Sequence, residues 1–191
     1  MPARFWARFQ DLVRFAGCPL AKTATAWLMA GMILLRRFLV VAAVAVWMGG
    51  FTFYSSFAIP AATDLLGSHR AAGFITQRVT QSLNVCGVGA LAILLWNIVA
   101  GWRVAVVRER RWLAGTWGFL AVTEVALLVL HPLLDAKLDP ATQQILRDSQ
   151  FPAWHRAYLW TSTAQWLAAL PLVWFTLAVW QKEDRTPVRG L

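Results

Sequence analysis

Among the side chains that could do chemistry, one acid stands alone in an apolar run: Glu124, within WLAGTWGFLAVTEVALLVLHPLLD. Ten residues from the far end of that run, it lies ~15 Å deep by helical rise. Insertion there costs at least ~2.5–3.5 kcal/mol, so the acid should face the interior of a bundle and either have a partner or be protonated. Gln165, with Thr161 and Thr163, falls at a similar depth in a later run, as does Gly49-Gly50 in an earlier one. These are the expected hydrogen-bond and close-packing partners. His131 is seven residues on, two turns along the same helix face. Two readings follow: an acid that ties helices together, and the terminus of a polar path from the outer interface, a proton relay. The first has the advantage, because a relay usually needs more ionisable groups than this chain supplies.

The three histidines, His69, His131 and His155, fall on one side of the apolar runs, and imidazole is a good ligand for copper, zinc or haem iron. His131 and His155 should meet where one run ends and the next begins, with His69 in reach. Asp135, four residues beyond His131, could add an oxygen if the helix continues past Pro132. The ordinary reading outweighs this one: interfacial histidines bonded to loop backbone or water. There is no HxxxH, no CxxC and no Met cluster, and Cys18 and Cys86 form no disulfide framework. No cofactor is expected, with haem or copper as the alternative.

The elements that must position these groups are plain. Phe38 to Pro60 is 23 residues without a charge, and three more uncharged or nearly uncharged runs follow. A bilayer core of ~30 Å needs about 20 apolar residues. With 59% hydrophobic and 14% charged residues and a mean hydropathy of +0.54, the fold class is all-α: a polytopic membrane bundle of four helices. Spans are expected from Arg36-Arg37 to Pro60, over 79–102, over 112–134 with His131 closing the regular helix before Pro132, and over 157–181 with Pro171 inside. Ser68 should cap the second helix, and Asp139-Pro140 should start a short helix through Arg147. Many of the twelve tryptophans fall near span ends, where their amphipathic rings favour the headgroup level.

Residues 1–33 read as a separate segment, an interfacial amphipathic helix with Phe5, Phe9, Leu12 and Ala16 on one face. The alternative is an over-extended reading frame with its natural start at Met32. Residues 34–181 form the membrane domain, and 182–191 a polar cytoplasmic tail. Thirteen Lys and Arg lie in the N-terminal segment, the 103–111 connection and the tail, against five in the two opposite loops. Both termini therefore face the cytoplasm, the bilayer being the plasma (inner) membrane. This distribution explains the net charge of +9 without nucleic acid. A homo-oligomer or a larger membrane complex is an expected partner.

The stretch VAVWMGGFTFYSSFAIPAATDLLGSHRAAGFITQRVTQSLN resembles the first hairpin of the transmembrane-protein-205-like family of four-helix membrane proteins, a family labelled as a domain of unknown function. The residues that carry the likeness are Trp47, Gly49, Gly50, Pro60, Ala72 and Gly73. FPAWHRAYLWTSTAQW looks like the start of that family's last helix, with its histidine at His155. The second span departs from the pattern, having Arg78-Val79 where the family has Phe-Pro. Trp-x-Gly-Gly is also similar to copper-resistance-D-like membrane proteins and to membrane protoporphyrinogen oxidases, but this chain has no histidine inside its first span. The resemblance implies the four-helix architecture and no established activity. The leading expectation is a non-enzymatic membrane protein that binds or helps transport a small solute or metal ion at its outer face. The alternatives are a haem- or copper-binding redox protein using His131 and His155, and a structural or assembly subunit.

Overall fold

The structure is a computed structural model that describes residues 19–67, 69–139, 144–145 and 150–185; the side chains of 19–26, 69–72, 74–75, 138–139 and 144–145 are outside that description. Long apolar runs give long helices, two of which contain an internal proline. They are α1 (Pro19–Phe53), α2 (Ile59–Leu66), α3 (His69–Gly101), α4 (Val107–Asp135) and α5 (Phe151–Arg185). Four segments are long and apolar enough to cross a membrane: 27–66, 76–101, 107–135 and 151–185. The amphipathic pattern at Phe5, Phe9, Leu12 and Ala16, and the Ser68 cap, lie outside the described residues.

Pro60 does not end the first span. A π-helical turn, Tyr54–Ala58, precedes it and α2 continues to Leu66, closed by Gly67 at φ +59°. Proline lacks the N–H for an i−4 bond, and a local widening of the helix accommodates that loss. Pro132 likewise lies inside α4, which runs on to Asp135, and the Ala136 amide donates to the Pro132 carbonyl at 3.0 Å. α5 passes through Pro171 and carries residues 182–185, expected as the start of a tail. At its other end α1 runs unbroken across the boundary expected at residue 33. Where a short helix was expected after Asp139, Leu138 and Asp139 pair antiparallel with Ile145 and Gln144. That pairing supplies partners for backbone groups a helix would otherwise have satisfied.

α4 packs most extensively on α5, α1 on α3, and α3 on α4. The core is thin: Leu94, Leu120 and Leu172 are its fully buried large side chains. Phe38, Val46, Phe53, Val99, Val122 and Trp174 are among many large apolar residues facing outward, the arrangement a bilayer solvates and water would not. α1 is the most peripheral helix, held to α5 by the Trp166 indole donating to the Thr52 hydroxyl at 3.1 Å and by a cluster of ion pairs at one end.

Candidate functional site

Glu124 is buried, 3% exposed, and Gln165 Nε2 donates to its Oε2 at 2.7 Å. Its second oxygen, Oε1, is buried with no hydrogen-bond partner among the described residues. Room for the carboxyl comes from Gly87 on α3. A Cβ there would stand 2.7 Å from Glu124 Oε2 and 2.9 Å from Trp47 Nε1, so α1, α3, α4 and α5 converge on this point. The close approach expected of Gly49-Gly50 is thus supplied from another helix. Gly50 faces Leu83, at 3.0 Å for a Cβ, whereas Gly49 meets nothing within 4 Å. Successive helical residues point about 100° apart, so only one of an adjacent pair can face the bundle. Gly87→Ala should therefore lower stability by about 1–3 kcal/mol through overpacking. Gly89→Ala, which meets nothing within 4 Å, should be neutral or stabilising; thermal unfolding in detergent compares the two.

Toward the end that carries the histidines lies a second group of hydrogen-bonded side chains, one helical turn from this point and not hydrogen-bonded to Glu124 among the described residues. Asn84, one turn from Gly87, accepts from the Tyr158 hydroxyl at 3.2 Å, and its Nδ2 is buried without a partner. Tyr158 also approaches Thr80. Thr80 Oγ1 lies 3.3 Å from His131 Nε2, which is 3.1 Å from the Gln77 carbonyl. On its other side His131 Nδ1 meets Asp135 at 2.9 Å. Both imidazole nitrogens thus face acceptors. Asp135, with a side chain 31% exposed, opens the series to the surface.

Each helix contributes a stripe at helical spacing. Gln77, Thr80, Asn84 and Gly87 come from α3, Glu124, His131 and Asp135 from α4, Tyr158 and Gln165 from α5. Thr161 is half-buried; Ser162 takes the buried position and bonds the Tyr158 carbonyl at 2.9 Å. Both positions lie between Tyr158 and Gln165 at helical spacing, and the packing turns Ser162 inward. Thr163 is exposed. Gln77, Thr80, Asn84, Gly87 and Tyr158 are the members that sequence reading did not assign to the site, although the first four stand at helical spacing on one stripe of α3.

The three histidines differ. His131 is engaged as described. His155 is exposed and stacks on Phe151 with ring centroids 6.0 Å apart. His69 opens α3, and its side chain is outside the described residues. Among the described residues, no group of three His, Cys, Asp or Glu is placed to hold a metal ion. Both nitrogens of His131 lie within hydrogen-bond distance of protein groups, Asp135 on one side and Thr80 with the Gln77 carbonyl on the other.

Beyond Glu124 the interior is apolar. Leu94, Leu120 and Leu172 lie four to seven residues further along α3, α4 and α5 from Gly87, Glu124 and Gln165, and close the interior. Past them the basic end is polar again. Glu183 binds Arg36, and it also meets Arg37 at 3.2 Å; Arg37 reaches Asp184 at 2.8 Å and the Trp180 carbonyl at 3.2 Å. Trp180 Nε1 donates to Asn97 at 3.1 Å, and Lys182 pairs with Glu109.

The fold and site together define a four-helix bundle of membrane-crossing length with a polar track in one half and an apolar closure in the other. No family model, curated protein or solved structure matches the chain; the family likeness rests on the short motifs quoted above.

Proposed function

We propose that the protein is an integral membrane protein that binds a small cation, the proton, at Glu124 and exchanges it with the outer face along Asn84, Tyr158, Thr80, His131 and Asp135. The observation that carries this reading is the carboxyl itself: 3% exposed, held through one oxygen, and left with a bare second oxygen on the helix face that leads to His131. A proton can pass along hydroxyls and an imidazole in hydrogen-bonding series, with the Asn84 amide orienting the Tyr158 hydroxyl, so the scarcity of ionisable groups is less limiting than it looks in sequence. Glu124 would hold the proton on its free oxygen, and His131 with Asp135 would collect it at the surface.

The excess of Lys and Arg at the opposite end supports an orientation with the histidine end outside and both termini in the cytoplasm, in a plasma or bacterial inner membrane. The leucine layer below Glu124 would make this a half-path, closed to the cytoplasm until the helices shift.

The competing reading is that Glu124 and Gln165 are only an interhelical tie, favoured by their short hydrogen bond. Tyr158→Phe separates the two. It removes the hydroxyl between Asn84 and Thr80 and leaves Glu124–Gln165 intact. In dye-loaded proteoliposomes under an imposed potential, the proton flux should fall severalfold or more in this variant; flux equal to wild type would leave the tie as the sole role.

A further inference from the structure

A recess of about 830 Å³ opens at the basic end of α4, against α5, well away from the polar track. Arg108 and Arg111 stand at its mouth, followed along the helix by Trp112, Gly115 and Phe119, with Ala168 on the facing helix. Both arginines are exposed, and among the described residues neither makes a hydrogen bond or ion pair to the protein. Glu109, the acid next to Arg108, is taken by Lys182 and by the Val106 amide at 3.1 Å. Arg110 turns elsewhere, donating to the Ala105 carbonyl at 2.8 Å and lying over the Trp102 ring. The Trp112 ring is fixed by stacking on Phe175, centroids 5.6 Å apart. Gly115 keeps the floor open, since a Cβ there meets nothing within 4 Å.

We propose that this recess binds an anionic phospholipid, its phosphate between Arg108 and Arg111 and its upper acyl chain along Gly115, Phe119 and Ala168. The match is one of charge and direction. Two exposed guanidinium groups, Arg108 acting on Glu109 only through space, sit at the end of a membrane-length helix, where a headgroup would be. The apolar groove runs from them toward the bilayer interior for ~12 Å by helical rise. Arginine forks suit phosphate oxygens, and a basic recess between spanning helices favours an anionic headgroup. The choline cation of a zwitterionic lipid would stand against the same two positive charges.

The test uses the full chain, delipidated in detergent and mixed with equal amounts of dioleoyl phosphatidylglycerol or dioleoyl phosphatidylcholine, the bound lipid being counted by native mass spectrometry. Phosphatidylglycerol should be retained on the order of tenfold more than phosphatidylcholine. That preference should vanish in the Arg108→Ala/Arg111→Ala double variant and persist in Arg103→Ala, whose residue shares the connection but not the recess. Gly115→Phe, which fills the groove and keeps both arginines, should also lower retention. Equal retention of the two lipids by the wild type would overturn the proposal. So would wild-type phosphatidylglycerol binding in the double variant or in Gly115→Phe, or displacement of the lipid by millimolar inorganic phosphate.

Discussion

Glu124→Ala is expected to destabilise the bundle by on the order of 3 kcal/mol, and Glu124→Gln by less than about 1 kcal/mol, in thermal or denaturant unfolding of the detergent-solubilised protein. The difference follows from what each leaves behind. Alanine removes the acceptor of the Gln165 amide, a buried donor at 2.7 Å from Glu124 Oε2, and orphaning such a group costs about 1–3 kcal/mol. It also opens a void where α3 has no side chain, at Gly87, beside Trp47, and residual cavities add to the loss. Glutamine keeps the volume and a carbonyl oxygen to accept from Gln165, and places its amide where the bare Oε1 stood. Within a membrane a single such hydrogen bond is worth about 0.6–2 kcal/mol, so the amide cannot be strongly worse than the acid as a tie. If Glu124 served only to join helices, glutamine would be a sufficient replacement in every assay.

Glu183→Ala is expected to cost about 3–5 kcal/mol, the usual result of leaving a largely buried charge without its partner. Arg36 and Arg37 have side chains 8% and 21% exposed, and Glu183 meets both. The pair also joins α1 to α5, and α1 is the least buried of the four spans, so little else holds that end. Arg37 retains Asp184, whose side chain is 62% exposed; Arg36 has no such second acid among the described residues. The double variant Arg36→Leu/Glu183→Leu should recover most of the loss, because removing both charges removes the desolvation term as well. Asp184→Ala, in contrast, should leave the unfolding temperature close to that of wild type, because exposed pairs contribute little.

Much of the architecture was readable in the chain because four long apolar runs separated by charged connections admit few other folds. The ends of the helices were not readable, because local adjustments of the helix in some places and tertiary contacts in others carry them past stop signals. Pro60 is followed by α2 because a π-turn absorbs the missing bond. Pro132 stays helical within a turn that sets Asp135 against His131. Residues 182–185 remain helical because Lys182, Glu183 and Asp184 each find an oppositely charged partner on α1 or α4, which a count of polar residues reads only as a tail.

The site was half legible. Depth along the helix placed Gln165 beside Glu124 and His131 two turns above it. Which of Gly49, Gly50 and Gly87 approaches the acid depends on how α1 and α3 are rotated, and nothing local records that rotation. Tyr158 was hidden for another reason: in an aromatic-rich span start its ring looks like interfacial anchoring, and only the packing against α3 turns its hydroxyl onto Asn84.

The central claim is that Glu124 carries a proton and not merely a hydrogen bond. Its most direct test is the proton flux of wild type and Glu124→Gln, reconstituted at equal protein-to-lipid ratio in dye-loaded liposomes under the same imposed potential, with matching unfolding temperatures confirming that both are folded. The expected result is flux well above that of empty liposomes for wild type and at the empty-liposome level for Glu124→Gln. Equal flux from the two proteins, or none above background from the wild type, would contradict it.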